Sequence, residues 1–125
     1  MIKVAGLALA TALLAAPGYA APITYLSCDF PVTQDMPDGW HVDLTLDEQR
    51  GTVSYFVKDQ NAMNEEKAAF GPDAVTWTVD GEYVKIKRRI SRIDLSFIQD
   101  VETVGMPPQH MVGKCSLIDA SSRKF

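Results

Sequence analysis

WHVDLTLDEQRGTVSYFV, residues 40–57, contains two short runs in which apolar and polar side chains alternate. A period of two is typical of strands that bury one face of a sheet and expose the other. Between the runs, residues 48–51 read EQRG, and Gly51 can adopt the positive φ that a tight turn requires. The stretch therefore predicts a β-hairpin with the apolar side chains of both runs on its buried face.

A second hairpin is expected over residues 75–86, where the alternation recurs on both sides of Asp80-Gly81. Asp-Gly is a strong signal for a two-residue hairpin turn. The alternation then loses its phase over residues 88–92 and resumes in the other phase over residues 93–97. A phase slip of this kind indicates a bulge or a tight turn between two strands.

Further strands are expected close to both ends of the domain, at residues 26–30 and near residues 111–118. Residues 62–70 are rich in good helix formers and predict one short helix, although so short a helix needs packing to be stable. The fold class predicted is all-β, namely a small antiparallel barrel or sandwich of about 6–8 strands with one short helix.

The first twenty residues have the three parts of a cleavable secretory signal peptide. A single lysine precedes an almost unbroken apolar run over residues 4–16, and Gly18 and Ala20 are small residues at positions −3 and −1 of the cleavage site. The run is too short to cross a bilayer, which takes about 20 apolar residues. We expect residues 1–20 to be removed and residues 21–125 to form a single β domain without a transmembrane anchor, periplasmic or secreted in a bacterium.

Cys28 and Cys115 are the only cysteines of the chain and lie close to the two ends of the domain. Export brings the chain to an oxidising compartment, so the pair predicts one structural disulfide. A redox-active pair is the alternative, but such pairs are normally spaced as Cys-x-x-Cys.

The predicted mature domain retains eleven basic and sixteen acidic residues, a net charge of −5. An acidic balance gives no reason to expect a nucleic-acid partner. His41 and His110 are the only histidines, and His41-x-Asp43 supplies at most half of a zinc ligand set. No Gly-x-Ser-x-Gly elbow is present. We therefore expect no metal, no cofactor and no catalytic residues, with a hydrolase of envelope material as the competing class.

Five of the eleven basic residues fall within eight positions, in the second strand of the second hairpin and the phase slip that follows it. If they lie in a strand, three of them project from one face, whereas Arg88 falls on the apolar face. This favours, for Arg88, a position where the strand leaves the core, a sheet edge or an acidic partner. A positive patch on an acidic domain predicts contact with an envelope protein or an anionic envelope component such as lipopolysaccharide or peptidoglycan. Protection of a sheet edge, with pairing to acids of the same chain, is the alternative. The five residues are Lys85, Lys87, Arg88, Arg89 and Arg92.

Three spaced segments read YLSC at residues 25–28, ISRIDLSF at residues 90–97 and VGKC at residues 112–115. Together they resemble small exported proteobacterial proteins of unknown function. Those proteins have a cysteine near the mature N-terminus, an Ile-polar-Arg-x-x-Gly-x-aliphatic segment and a closing Gly-x-Cys. Asp94-Leu95 stands where that pattern usually has Thr-Gly. The resemblance implies an architecture and an exported location rather than an activity.

The same landmarks are more loosely similar to the periplasmic C-type lysozyme inhibitors, small β-barrels that begin with Tyr-x-x-Cys and close with a cysteine. That likeness implies inhibition of lysozyme. The Ser-Ala-Ser-Gly type of segment that those inhibitors present to the enzyme has no counterpart in this chain. We therefore expect a non-catalytic binding or accessory protein of the cell envelope, with a lysozyme-inhibitor-like protein as the alternative.

Overall fold

The computed structural model describes residues 22–34, 36–57 and 62–119, so the predicted signal peptide lies outside the described residues. Within these ranges the chain forms nine β-strands in one antiparallel sheet and no helix. No helix that is long and apolar enough to cross a membrane is found in the same ranges. The strands are β1 (Ile23–Phe30), β2 (Trp40–Asp47), β3 (Thr52–Val57), β4 (Ala62–Lys67), β5 (Ala69–Phe70), β6 (Ala74–Asp80), β7 (Val84–Ser91), β8 (Ser96–Thr103) and β9 (Gln109–Ile118).

The sheet has the order β4-β3-β2-β1-β9-β8-β7-β6-β5 and curls into a nearly closed barrel. Its two edge strands, β4 and β5, are separated in the chain only by Ala68. Strand β4 pairs with β3 and strand β5 pairs with β6. The backbone N–H of Ala68 donates to the carbonyl of Gly51 at 2.9 Å. One continuous segment therefore connects the two edges of the sheet.

The short helix predicted over residues 62–70 is wrong, because these residues form β4 and β5. The strand count of about 6–8 was correspondingly too low. A helix of this length gains little from its own hydrogen bonds. In the extended form, the same residues pair with two strands whose edges are otherwise open. The all-β antiparallel class is confirmed.

Phe97 lies at the centre of the aromatic part of the core. Its ring centroid is 5.0 Å from that of Phe30 and 5.8 Å from that of Trp77. Gly113 lies opposite Phe97 in the register, and a Cβ atom there would lie 3.0 Å from the ring of Phe30 and 2.6 Å from the carbonyl of Asp29. The ring of Phe30 therefore occupies the space above a residue without a side chain. The other buried apolar side chains of the core are Leu26, Cys28, Val42, Leu44, Leu46, Val53, Tyr55, Val75, Ile90 and Cys115.

The predicted disulfide is confirmed between Cys28 of β1 and Cys115 of β9. The two strands are neighbours, and the two cysteines are directly opposite each other in the register. Both residues are buried. The disulfide therefore joins the first and last strands of the described chain inside the barrel.

The connections between strands agree in part with the predicted turns. Gly51 has a φ of +67°, as the first hairpin requires. The second hairpin turns two residues later than predicted, because Asp80 pairs with Lys85 and the N–H of Gly81 donates to the carbonyl of Val84 at 2.7 Å, which leaves Glu82 and Tyr83 at the tip. Residues 92–94 form the turn that the phase slip predicted, and it is followed by Leu95 at a φ of +62°. A side chain in this left-handed region costs about 1–2 kcal/mol.

Candidate binding surface on strand β7

The five predicted basic residues do not form one surface. Strand β7 lies between β6 and β8, so it is not an edge strand. Its side chains alternate between the two faces of the sheet, and only Lys85, Lys87 and Arg89 are exposed together on the outer face. We call these three the outer basic row. Arg88 and Arg92 lie elsewhere.

The outer basic row differs in its neighbours from one end to the other. Lys85 lies between Asp80 and Glu102 in the register, so its charge has acidic neighbours on both sides. At the other end, Arg89 lies between Thr76 and Ile98, neither of which is charged. The positive charge of the row is therefore least compensated at Arg89.

A groove of about 430 Å³ runs along the Lys87–Arg89 end of the row. The hydroxyl-bearing residues Thr76 and Thr78 of β6 line it on one side, and Asp100 and His110 line it on the other. The Nδ1 atom of His110 lies 2.6 Å from Oδ1 of Asp100. Within the three described ranges, no ion pair involves any of the three basic side chains of the row. The groove therefore combines cationic donors and neutral hydroxyl groups with one carboxylate, that of Asp100, which lies opposite Lys87 and is engaged by His110.

Arg88 points into the barrel, and the expectation that it sits at an edge or pairs with an acid is wrong. Its Nε–H donates to Oε1 of Gln99 at 2.6 Å, and Gln99 is buried. Its guanidinium carbon lies 5.7 Å from the ring centroid of Trp40 and 5.6 Å from that of Tyr55. The electron-rich ring faces stabilise the charge in place of a carboxylate. Arg88 therefore belongs to the interior and not to the outer basic row.

Arg92 connects three loops at one end of the barrel. Its Nη2 donates to Oε1 of Glu48 at 3.1 Å, and its Nη1 donates to the carbonyl of Gly71 at 2.9 Å. Its backbone N–H donates to the carbonyl of Asp73 at 2.8 Å. The side chain therefore ties the β7–β8 turn to the β2–β3 and β5–β6 connections.

His41 is held between two carboxylates on the outer face of β1 and β2. Its Nδ1 lies 2.7 Å from Oδ1 of Asp29, and its Nε2 lies 2.9 Å from Oδ1 of Asp43. The pKa of His41 is raised above its ordinary value, chiefly by the hydrogen bond to Asp29, because both carboxylates favour the protonated ring. With both ring nitrogens engaged, His41 offers no free nitrogen to act as a base.

Metal-ligand clusters of three or more His, Cys, Asp or Glu side chains do not occur among the residues that the structure describes.

The carboxyl of Asp94 has its pKa lowered to about 2, chiefly because the backbone N–H of Ser96 donates to it. The hydroxyl of Ser96 also donates to Asp94, at 2.8 Å. This carboxylate organises the β7–β8 turn.

No known family model, no curated protein and no solved structure matches this chain. Its own geometry is therefore the basis for a functional proposal.

The alternation predicted that Lys85, Lys87 and Arg89 share a face, and the structure places them so. The sequence alone does not mark Thr76 and Thr78 as part of a surface, because they gain that role only by pairing with β7. The second hairpin could have indicated them, because it pairs β6 with β7 and so places the polar face of β6 beside the polar face of β7.

Proposed function

We propose that this protein is an exported, non-catalytic binding domain of the bacterial cell envelope. It contacts a phosphate- or carboxylate-bearing envelope component through the outer basic row. The observation that carries the proposal is the position of Arg89, an exposed cation on a strand that has neighbours on both sides, with no acidic residue opposite it.

The surroundings of Arg89 suit an anionic group. Arginine offers a planar set of N–H donors that can contact two oxygens of a phosphate or carboxylate together. Lys87 adds a second charge two residues away on the same face, opposite Asp100, whose carboxylate is engaged by His110. The hydroxyls of Thr76 and Thr78 lie along the same groove and supply neutral donors. The acids beside Lys85 repel an anion, so we place the centre of contact at the Arg89 end.

Sedimentation with purified lipopolysaccharide and with isolated peptidoglycan tests the proposal. We compare the unaltered domain with the double variant Lys87→Ser/Arg89→Ser. The matched control is Arg50→Ser/Lys67→Ser, which removes the same charge from the β2–β3 turn and the last residue of β4, outside the outer basic row. Because the two double variants have the same net charge, a difference between them in binding indicates a local site rather than a general attraction between the domain and an anion.

We expect the Lys87/Arg89 variant to lose at least ten-fold in affinity for one of the two components, and the control variant to lose less than two-fold. Binding of the unaltered domain should weaken as salt rises, because exposed charges are screened. Equal loss in both variants would show that net charge alone is responsible. Unchanged binding in the Lys87/Arg89 variant would eliminate the outer basic row as the contact surface.

A second candidate function, inhibition of a basic enzyme such as lysozyme, is favoured by a different observation. The connections β6–β7 and β8–β9 meet at one tip, where the N–H of Val104 donates to the carbonyl of Tyr83 at 3.0 Å. Tyr83, Val104 and Met106 are 65%, 74% and 57% exposed there. Glu82 and Glu102 lie beside them. An exposed apolar tip flanked by acids suits a partner of positive net charge.

Cell-wall lysis assays test this second function directly. Purified domain is added to C-type lysozyme, and the rate of lysis is measured with and without the change Tyr83→Ser/Val104→Ser. Inhibition that the double variant loses supports the candidate. Lysis at an unchanged rate at tens of micromolar domain rejects it and leaves the outer basic row as the functional surface.

A further inference from the structure

An apolar pocket opens at the end of the barrel that Arg92 ties together. Its volume is about 190 Å³. Four buried core residues line it, namely Leu26, Leu46, Val75 and Ile90. The remaining apolar lining is contributed by Pro22, Phe70, Leu95 and Leu117, and Leu117 is 67% exposed.

Four polar residues, two of them charged and partly exposed, define one rim of this pocket. Glu48 and Arg92 lie there as an ion pair with a 3.1 Å N···O distance, and Thr24 and Ser91 complete the polar rim. Arg92 also donates to the carbonyl of Gly71, so its position is fixed from two directions. The charges at the rim are thus already matched to each other.

The backbone at Leu95 is strained at the same place. Leu95 has a φ of +62°, yet its side chain packs against the core and lines the pocket. Strain of this kind persists only where the surrounding structure enforces it, and it is concentrated at functional sites. The turn is held by the hydrogen bonds from Leu95 N–H to the Ser91 carbonyl at 3.0 Å and from Cys115 N–H to the Leu95 carbonyl at 2.9 Å.

We propose that this pocket binds the alkyl chain or single ring of a small uncharged amphiphile, independently of the outer basic row. The size of the pocket sets the size of the ligand, since an apolar cavity of about 150 Å³ accommodates a benzene molecule. A group of about six to eight carbon atoms therefore fills it. The hydroxyl, ester or amide head of such a ligand reaches the rim at Thr24 and Ser91.

The ion pair at the rim is the reason why the ligand is uncharged. A carboxylate or ammonium head would approach one member of the Glu48–Arg92 pair and be repelled by the other. It would also lose its own hydration on entering the pocket. A neutral head leaves the pair intact and needs only one or two hydrogen bonds.

The test uses straight-chain 1-alkanols from four to ten carbons as probes of the exported domain, with binding measured by calorimetry. Each methylene that enters the pocket should tighten binding about four-fold. The gain should stop once the chain is longer than the pocket, near eight carbons. Affinity that does not depend on chain length would overturn the proposal.

A variant that fills the pocket separates this site from general adsorption. Thr24→Trp places a large side chain at the opening, whereas the matched control Ser116→Trp places it at an exposed position on β9. We expect 1-octanol affinity to fall at least ten-fold in the first variant and less than two-fold in the control. Equal affinities in the two variants would overturn the proposal, provided that both retain the circular-dichroism spectrum of the unaltered domain.

Two further measurements keep the proposal testable if Thr24→Trp does not fold. In the unaltered domain, 1-octanol should shift the backbone amide resonances of Leu26, Leu95 and Leu117 and leave those of Arg89 and Thr78 unmoved. Octanoate and octylammonium should each bind about ten-fold more weakly than 1-octanol. Amide shifts confined to the outer face, or tighter binding of octanoate, would contradict the assignment.

Discussion

Arg88 and Arg89 are consecutive in the sequence, but the inner and outer faces of β7 give them different surroundings. Arg88 lies inside the barrel, where Gln99 accepts its Nε–H and two aromatic rings face its guanidinium group. Arg89 lies outside, between a threonine and an isoleucine, and is exposed. An interior arginine contributes to stability through contacts that it has already made. Arg89 forms no ion pair with any residue that the structure describes, so its donors remain available to another molecule.

The disulfide is the strongest interior constraint, and its removal gives the largest expected effect. Cys28→Ser/Cys115→Ser should lower the free energy of unfolding by about 4–5 kcal/mol, because the bond spans 87 residues and restricts the unfolded chain. Urea unfolding of the oxidised domain and the double variant measures the difference. A loss below about 1 kcal/mol would show that the register of β1 and β9 is maintained without the bond.

The second-largest expected effect is the difference in stability between variants at Arg88 and at Arg89. Arg88→Ala should destabilise the domain by about 3 kcal/mol, because the buried Gln99 loses its hydrogen bond and two aromatic rings lose their contact. Arg89→Ala should change stability by no more than about 0.5 kcal/mol, as is usual for an exposed side chain. Equal urea midpoints for the two variants would contradict the assignment of Arg88 to the interior.

Gln99→Leu tests the interior surroundings of Arg88 by removing its hydrogen-bond acceptor. We expect a loss of about 2 kcal/mol, since the Nε–H of Arg88 is left without its acceptor. Adding Arg88→Met removes the stranded charge. The double variant should therefore lose less free energy of unfolding than the two single variants lose together, by at least about 1 kcal/mol. Strict additivity in this cycle would mean that the 2.6 Å hydrogen bond contributes nothing specific.

The smallest effect belongs to the outer face, at His41. Its pKa is raised, chiefly by the hydrogen bond to Asp29, so protonation and folding favour each other. This contribution to stability is complete below the ordinary histidine pKa of about 6.5 and is lost as the pH rises through the raised pKa of the folded state. Thermal midpoints from pH 5 to pH 9 measure it. The thermal midpoint should fall less steeply with rising pH in Asp29→Asn than in the unaltered domain. An identical fall in that variant would contradict the hydrogen bond to Asp29 as the cause of the raised pKa.

Some of the candidate surface could be predicted from the sequence and some could not. Period-two alternation placed Lys85, Lys87 and Arg89 on one face, because successive side chains of a strand point to opposite sides. The same rule placed Arg88 on the apolar face. It could not supply Gln99, Trp40 and Tyr55 as its surroundings, because they come from three other strands. An edge or an acidic partner was therefore expected in their place.

The segment 62–70 shows a second limit of local patterns. Its composition favours a helix, but helix propensity is a weak preference over so few residues. Pairing with β3 and β6 outweighs that preference, because it satisfies backbone groups at both edges of the sheet. The sequence of the segment alone does not indicate that β3 and β6 are available for pairing.

The amino-acid sequence was sufficient for the all-β class, the two hairpins and the tight turn after β7, because each depends on residues that are close along the chain. It was also sufficient for the Cys28–Cys115 pair, since the chain has only two cysteines. Only the tertiary structure revealed nine strands curled into a nearly closed barrel, an interior Arg88, and an apolar pocket behind Arg92. These features depend on which distant strands become neighbours, and that is determined by the packing of the whole sheet.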